Sequence, residues 1–181
     1  EKGEIAARAS TGKPFSLAAG ADLSKVGDIP SKAVAKQMAQ LGHQTLGKLS
    51  ELGVPSFVFI NGLALGGGLE IGLNADYRTV DRNAPAIALP EVFLGIIPGW
   101  GGAYLLPNLI GIENALKVIV ENPLKNNRML KGKDAFELGI ADAIFDSANF
   151  LEDSLNWADG VISGKIKVKR ANEPGKIERA V

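Results

Sequence analysis

Apolar residues run along the chain in blocks cut by glycine and proline, and the spacing inside each block predicts its element. After Ser31, the positions Met38, Leu41 or Gly42, Leu46, Leu49 and Leu52 recur at three- and four-residue intervals, the period of one helix face. Ser31 is the predicted N-cap and Gly53 the stop. VPSFVFI lacks that period; its unbroken β-branched and aromatic content predicts a buried strand ending at Asn61-Gly62. KPFSLAA predicts a short strand ahead of GADL, and YRTVD and AIAL two more around the RNAP turn. GWGGAYLLPNLIG, IENALKVIVEN, KGKDAFELG (with Gly139 as its stop) and FLEDSLNWADGVIS predict helices, and IADAIFD a strand. This alternation of strand and helix predicts the α/β class. Residues 1–163 form one expected domain; from Gly164, six basic residues against two acidic predict a basic linker or tail at 164–181.

Composition narrows the functional classes. The 181 residues are 46% hydrophobic, enough for one domain with a real core. Twenty basic residues balance 20 acidic ones, so no global field draws the chain to nucleic acid or to a membrane surface, and no RNA motif is recognisable. With no cysteine and a single histidine, His43, disulfide scaffolds, zinc sites and thiol nucleophiles are excluded. The uncharged stretches Leu52–Leu69 and Val92–Ile112 each carry five glycines and are broken by Pro55, or by Pro98 and Pro107, which suits buried elements better than a membrane span. The absence of an initiator methionine and of an apolar leader gives the expectation of a cytoplasmic piece of something longer.

The candidate chemistry sits in NGLALGGGLEIGLNAD. A strand that delivers glycines into a helix leaves N–H groups unpaired beside the positive end of the helix dipole, a setting for an oxyanion. Glu70 follows Gly67 by three residues, which sets its side chain on the same face one turn along. Glu91, behind Pro90 in LPEVFLGIIPGWGG, is a second carboxylate in apolar surroundings, and two such groups can have their pKa values driven apart. AAGADL adds Ala21 as a further N–H donor. Each motif alone is common in ordinary turns and helix starts; their joint occurrence in this order carries the reading. His43 reads as a packed or surface residue, and Trp100 and Tyr104 as core or pocket wall. There is no GxSxG, HExxH, Walker A or GxGxxG match.

These three motifs, in this order and spacing, resemble the crotonase (enoyl-CoA hydratase/isomerase) superfamily, and most closely the hydratase portion of bacterial fatty-acid oxidation multienzymes that also carry a 3-hydroxyacyl-CoA dehydrogenase. The resemblance implies a crotonase-like (ClpP/crotonase) spiral of ββα units, here truncated at both ends, and hydration of a trans-2-enoyl-CoA. It implies an oxyanion hole from Ala21 and Gly67 and a catalytic pair, Glu70 and Glu91. Ala19, Ala21, Asp22 and Leu23 would meet the CoA moiety, Leu65, Gly66, Gly67 and Pro90 would line the substrate, and Pro98 and Gly99 would face the acyl side. It further implies no metal, no cofactor beyond the coenzyme A carried by the substrate, assembly into a homo-oligomer (a trimer in the family), and a dehydrogenase domain in the parent chain. Isomerases of the family generally lack the carboxylate at the Glu70 position, so keeping both favours hydration.

Overall fold

A computed structural model describes residues 5–20 and 29–170. Among the described residues, seven strands form two parallel sheets. Strands β1 (Arg8–Thr11), β3 (Ser56–Ile60), β5 (Tyr77–Asp81) and β7 (Ala143–Phe145) pair in that order, and β2 (Phe15–Ala18), β4 (Gly62–Leu65) and β6 (Ile87–Ala88) make the second sheet. Successive strands therefore go to different sheets. Each pair is followed by a helix: α1 (Lys32–Gly47) after β1 and β2, α2 (Gly67–Asn74) after β3 and β4, and α3 (Gly102–Ile110) after β5 and β6. Every ββα turn adds one strand to each sheet, which is a spiral. The predicted α/β class and ββα winding are both present.

β3 explains why the frame is stable. All five of its residues are buried, so it reads as an apolar run with no alternation. Val58 and Ile60 join Leu69, Leu73, Val80, Ile87, Leu89 and Leu106 in the main core. Phe57 and Phe59 point the other way, to Phe150 and Ala158 of α7 (Phe150–Ile162). At the corner between β3 and β4, the Asn61 side chain donates to the carbonyls of Gly12 and Lys13 and accepts from the Gly12 N–H. This holds the chain where it changes sheets.

Three sequence expectations need correction. The stripe predicted for α1 holds only in part: Gly42 and Leu46 face the body, but Met38 and Leu41 are 50% and 65% exposed, and no residue of the helix is fully buried. Ala35 and Ala39 complete that half-buried side, and at Gly42 the helix closes on Trp100 with no room for a Cβ. IENALKVIVEN is not one regular helix but α4 (Ile112–Leu116), a π-helical turn (Lys117–Glu121) and α5 (Asn122–Leu124). Pro123 has no N–H to give to the preceding turn, which disturbs the regular ladder. Strands β1 and β4 were not predicted at all. The short helix α6 (Gly132–Glu137) lies against β5 and β7. Among the described residues no helix is long and apolar enough to cross a membrane.

Candidate active site

The site forms where β4 runs into α2. Gly66, the residue before the helix, has φ +52° and ψ −123°, a conformation that favours glycine. Its carbonyl accepts from the N–H groups of Leu69 (2.8 Å) and Glu70 (3.0 Å). The Gly67 N–H, at the positive end of the helix, makes no hydrogen bond to any described residue. The end of β2 lies alongside: a Cβ added to Gly68 would fall 2.3 Å from the Ala18 carbonyl oxygen, and one on Gly20 would fall 3.0 Å from that of Leu65. Ala19 is exposed there. Ala21, Asp22 and Leu23 lie outside the described residues.

Glu70 is 2% exposed. Its Oε1 accepts from the backbone N–H groups of Trp100 (2.8 Å) and Gly102 (2.9 Å), which open the turn into α3. Asn74 fastens the same contact from the other end of α2, its Nδ2 donating to the carbonyls of Glu70 (2.8 Å) and Trp100 (3.0 Å). Burial pushes the Glu70 carboxyl above its ordinary value, while the two N–H bonds pull it back down.

Glu91 lies on the 3₁₀ turn Pro90–Leu94, opened by the half-buried Pro90. It is 9% exposed, and its Oε2 is buried with no hydrogen-bond partner. Burial, then the charge of Glu70, push its pKa up to about 7 against the pull of its own backbone N–H. A Cβ on Gly66 would fall 2.7 Å from Glu91 Oε1, so Glu91 lies directly against the glycine turn. Glu70, three residues past Gly67, stands one helical turn further on.

The remaining predicted positions surround this centre. Leu65 is half-buried at the end of β4. Pro98 is buried beside Gly102 and Glu70, and the exposed Gly99 faces Ala39 of α1. Tyr104 is 64% exposed, so it is not core. Asn74 and the N–H groups of Trp100 and Gly102 were not foreseen; no sequence signal marks which backbone donors will reach a side chain 30 residues away. Among the described residues, no three acidic or histidine side chains gather into a metal-binding group.

The frame and this centre define an α/β protein of the ββα-spiral class, with a paired-carboxylate site at a glycine-opened helix. The family described as enoyl-CoA hydratase/isomerase matches residues 7–173, and the chain belongs to that family. It is 42% identical over 124 residues to the fatty acid oxidation complex subunit alpha of Pseudomonas syringae pv. tomato, covering 68% of this chain and 16% of that protein. It is 34% identical over 149 residues to the protein of the same name from Shewanella loihica, covering 82% of this chain and 20% of that one. The chain thus spans a fifth or less of the length of these curated relatives. The crystal structure of an enoyl-CoA hydratase from Bacillus anthracis superposes with a TM-score of 0.77 at 29% identity, covering 90% of this chain and 60% of that one.

Proposed function

We propose that this chain is the enoyl-CoA hydratase segment of a fatty-acid oxidation protein, adding water to a trans-2-enoyl-CoA to give a 3-hydroxyacyl-CoA. The observation that carries the reading is the pair of buried glutamates beside Gly66 and Gly67, one carboxylate fixed by two N–H donors and the other with an oxygen unpartnered. Family membership and the names of the relatives support the substrate class.

The thioester oxygen sits on the N–H groups of Gly67 and Ala21. Polarising the carbonyl draws electron density from the double bond and makes the β-carbon electrophilic; one such donor is worth about 100- to 1000-fold in rate. Glu70, already fixed through Oε1, uses its other oxygen to orient a water molecule and take its proton as the hydroxyl bonds to the β-carbon. The enolate that forms takes a proton on its α-carbon from Glu91. Glu70 then holds the proton that Glu91 has lost, and exchange between them resets the pair. Ala19, Asp22 and Leu23 meet the coenzyme A, Leu65, Gly66 and Pro90 line the thioester, and Pro98 and Gly99 flank the acyl group. The reaction uses no metal and no cofactor beyond the coenzyme A on the substrate. The working protein is cytoplasmic, is a homo-oligomer, and is joined to a 3-hydroxyacyl-CoA dehydrogenase domain.

The test is the loss of enoyl-thioester absorbance when the chain meets crotonyl-CoA, with the product identified by chromatography. Glu91→Gln should lower kcat by about 100- to 10,000-fold. A double bond that moves without water being added would identify an isomerase instead.

A further inference from the structure

Trp100 stands at the wall of the site, and two glycines make room for it from opposite sides. A Cβ on Gly42 of α1 would lie 2.1 Å from the indole Nε1 and 2.4 Å from Cδ1 and Cε2. One on Gly67 would lie 2.5 Å from Cζ3 and 2.7 Å from Cε3. The pyrrole edge therefore rests on α1, and the benzene edge on Gly67, at the start of α2. The Trp100 backbone is fixed, its N–H donating to Glu70 and its carbonyl accepting from Asn74.

This geometry limits what lies beyond a carbonyl held at Gly67. For reacting carbons placed between Glu70 and Glu91, the indole is the adjoining wall, since its benzene edge lies on Gly67 and its own backbone N–H holds Glu70. Beyond it α1 approaches the 97–100 segment, a Cβ on Gly99 falling at contact distance, 3.8 Å, from that of Ala39. Resting on the hydratase reading, we propose that Trp100 is a specificity-determining residue whose indole blocks the path of a long acyl chain and restricts the site to short enoyl-CoA substrates.

The test compares crotonyl-CoA with trans-2-decenoyl-CoA as substrates, and butyryl-CoA with decanoyl-CoA as non-reacting ligands by calorimetry. The proteins are the unaltered chain, Trp100→Ala, Trp100→Phe, Gly42→Ala and the Gly42→Ala/Trp100→Ala double variant. The unaltered chain prefers the short member of each pair. Each methylene that gains apolar burial is worth roughly fourfold in affinity, so Trp100→Ala should shift both ratios toward the ten-carbon chain by about 30-fold or more, through KM rather than kcat. Trp100→Phe should shift them less. Gly42→Ala presses on the indole from α1 and sharpens the short-chain preference, an effect that should vanish in the double variant, where the indole is gone. Ratios that move less than about threefold in both Trp100 variants, or an unaltered chain that takes decanoyl-CoA as well as butyryl-CoA, would overturn the proposal. Shifted binding ratios without hydration of any enoyl-CoA would refute the hydratase reading while upholding the gate. Binding of neither acyl-CoA would refute both.

Discussion

Two buried charge clusters lie at opposite ends of α2, and only one of them is closed. At the C-terminal end, Arg78 is 2% exposed and its guanidinium spends its donors on the carbonyls of Ile140, Gly72, Ala75 and Asp76 and on Asp142. Asp142 accepts in turn from the Arg78 backbone N–H and, through both oxygens, from Arg170, which lies over the Tyr77 ring at 5.6 Å. Burial draws the Arg78 pKa down to about 10 and Asp142 opposes the fall, leaving it charged at neutral pH. At the N-terminal end, Glu91 keeps an oxygen with no partner and Gly67 an N–H with no acceptor among the described residues. Buried polar groups whose bonds all close hold a fold together, whereas open ones cost stability and are kept where a ligand completes them. The closed cluster anchors the helix that presents the open one.

If that division is right, substitutions in the two clusters should have opposite signatures. Asp142→Ala leaves Arg78 without its counter-charge in the interior, a loss of about 3–5 kcal/mol in a urea unfolding experiment. Glu91→Gln should do the reverse, removing about 100- to 10,000-fold of kcat with no loss of stability. The sign of its pH effect follows from linkage. The folded-state pKa of Glu91, about 7, lies above its ordinary 4.5. Its contribution is therefore fully present below pH 4.5 and lost as pH rises toward 7. Unfolding free energy should fall across that window in the unaltered chain and flatten in Glu91→Gln. Gly66→Ala joins the two measurements: a residue at φ +52° with its Cβ 2.7 Å from Glu91 Oε1 should cost about 1–2 kcal/mol of strain and lower kcat as well. The smallest effect is expected at Arg170→Ala, about 1 kcal/mol of stability, since its side chain is 31% exposed.

How much of this was legible in the chain depends on sequence separation. The glycine entry at Gly67 and the placement of Glu70 three residues into the helix were legible because both are local; the approach of Glu91 to Gly66 spans 25 residues of sequence and is not. β4 was hidden because its four residues, GLAL, sit between an Asn-Gly pair and a glycine run and look like a turn. β1 was missed because all four of its residues are exposed, leaving no alternation to detect. The facing of α1 was half legible: the stripe included Gly42 and Leu46, which do face the body, but hydropathy could not choose Gly42 over Leu41 or weigh Ala35 and Ala39 above Met38. The Arg78–Asp142 and Arg170–Asp142 pairs are 64 and 28 residues apart, and no periodicity announces them. Nor did the charge of the segment from Gly164 show that Ile166 lies over Gly160 and that Arg170 folds back onto Asp142.

The most direct test of the open cluster is an NMR titration of the Glu91 side-chain carboxyl carbon, in the unaltered chain and in Glu70→Gln. The account predicts a midpoint near 7 in the first and a lower one in the second, because the neighbouring negative charge is gone. A midpoint in the ordinary carboxylate range near 4.5, or one that does not respond to Glu70→Gln, would mean that Glu91 is not the poised acid of this site.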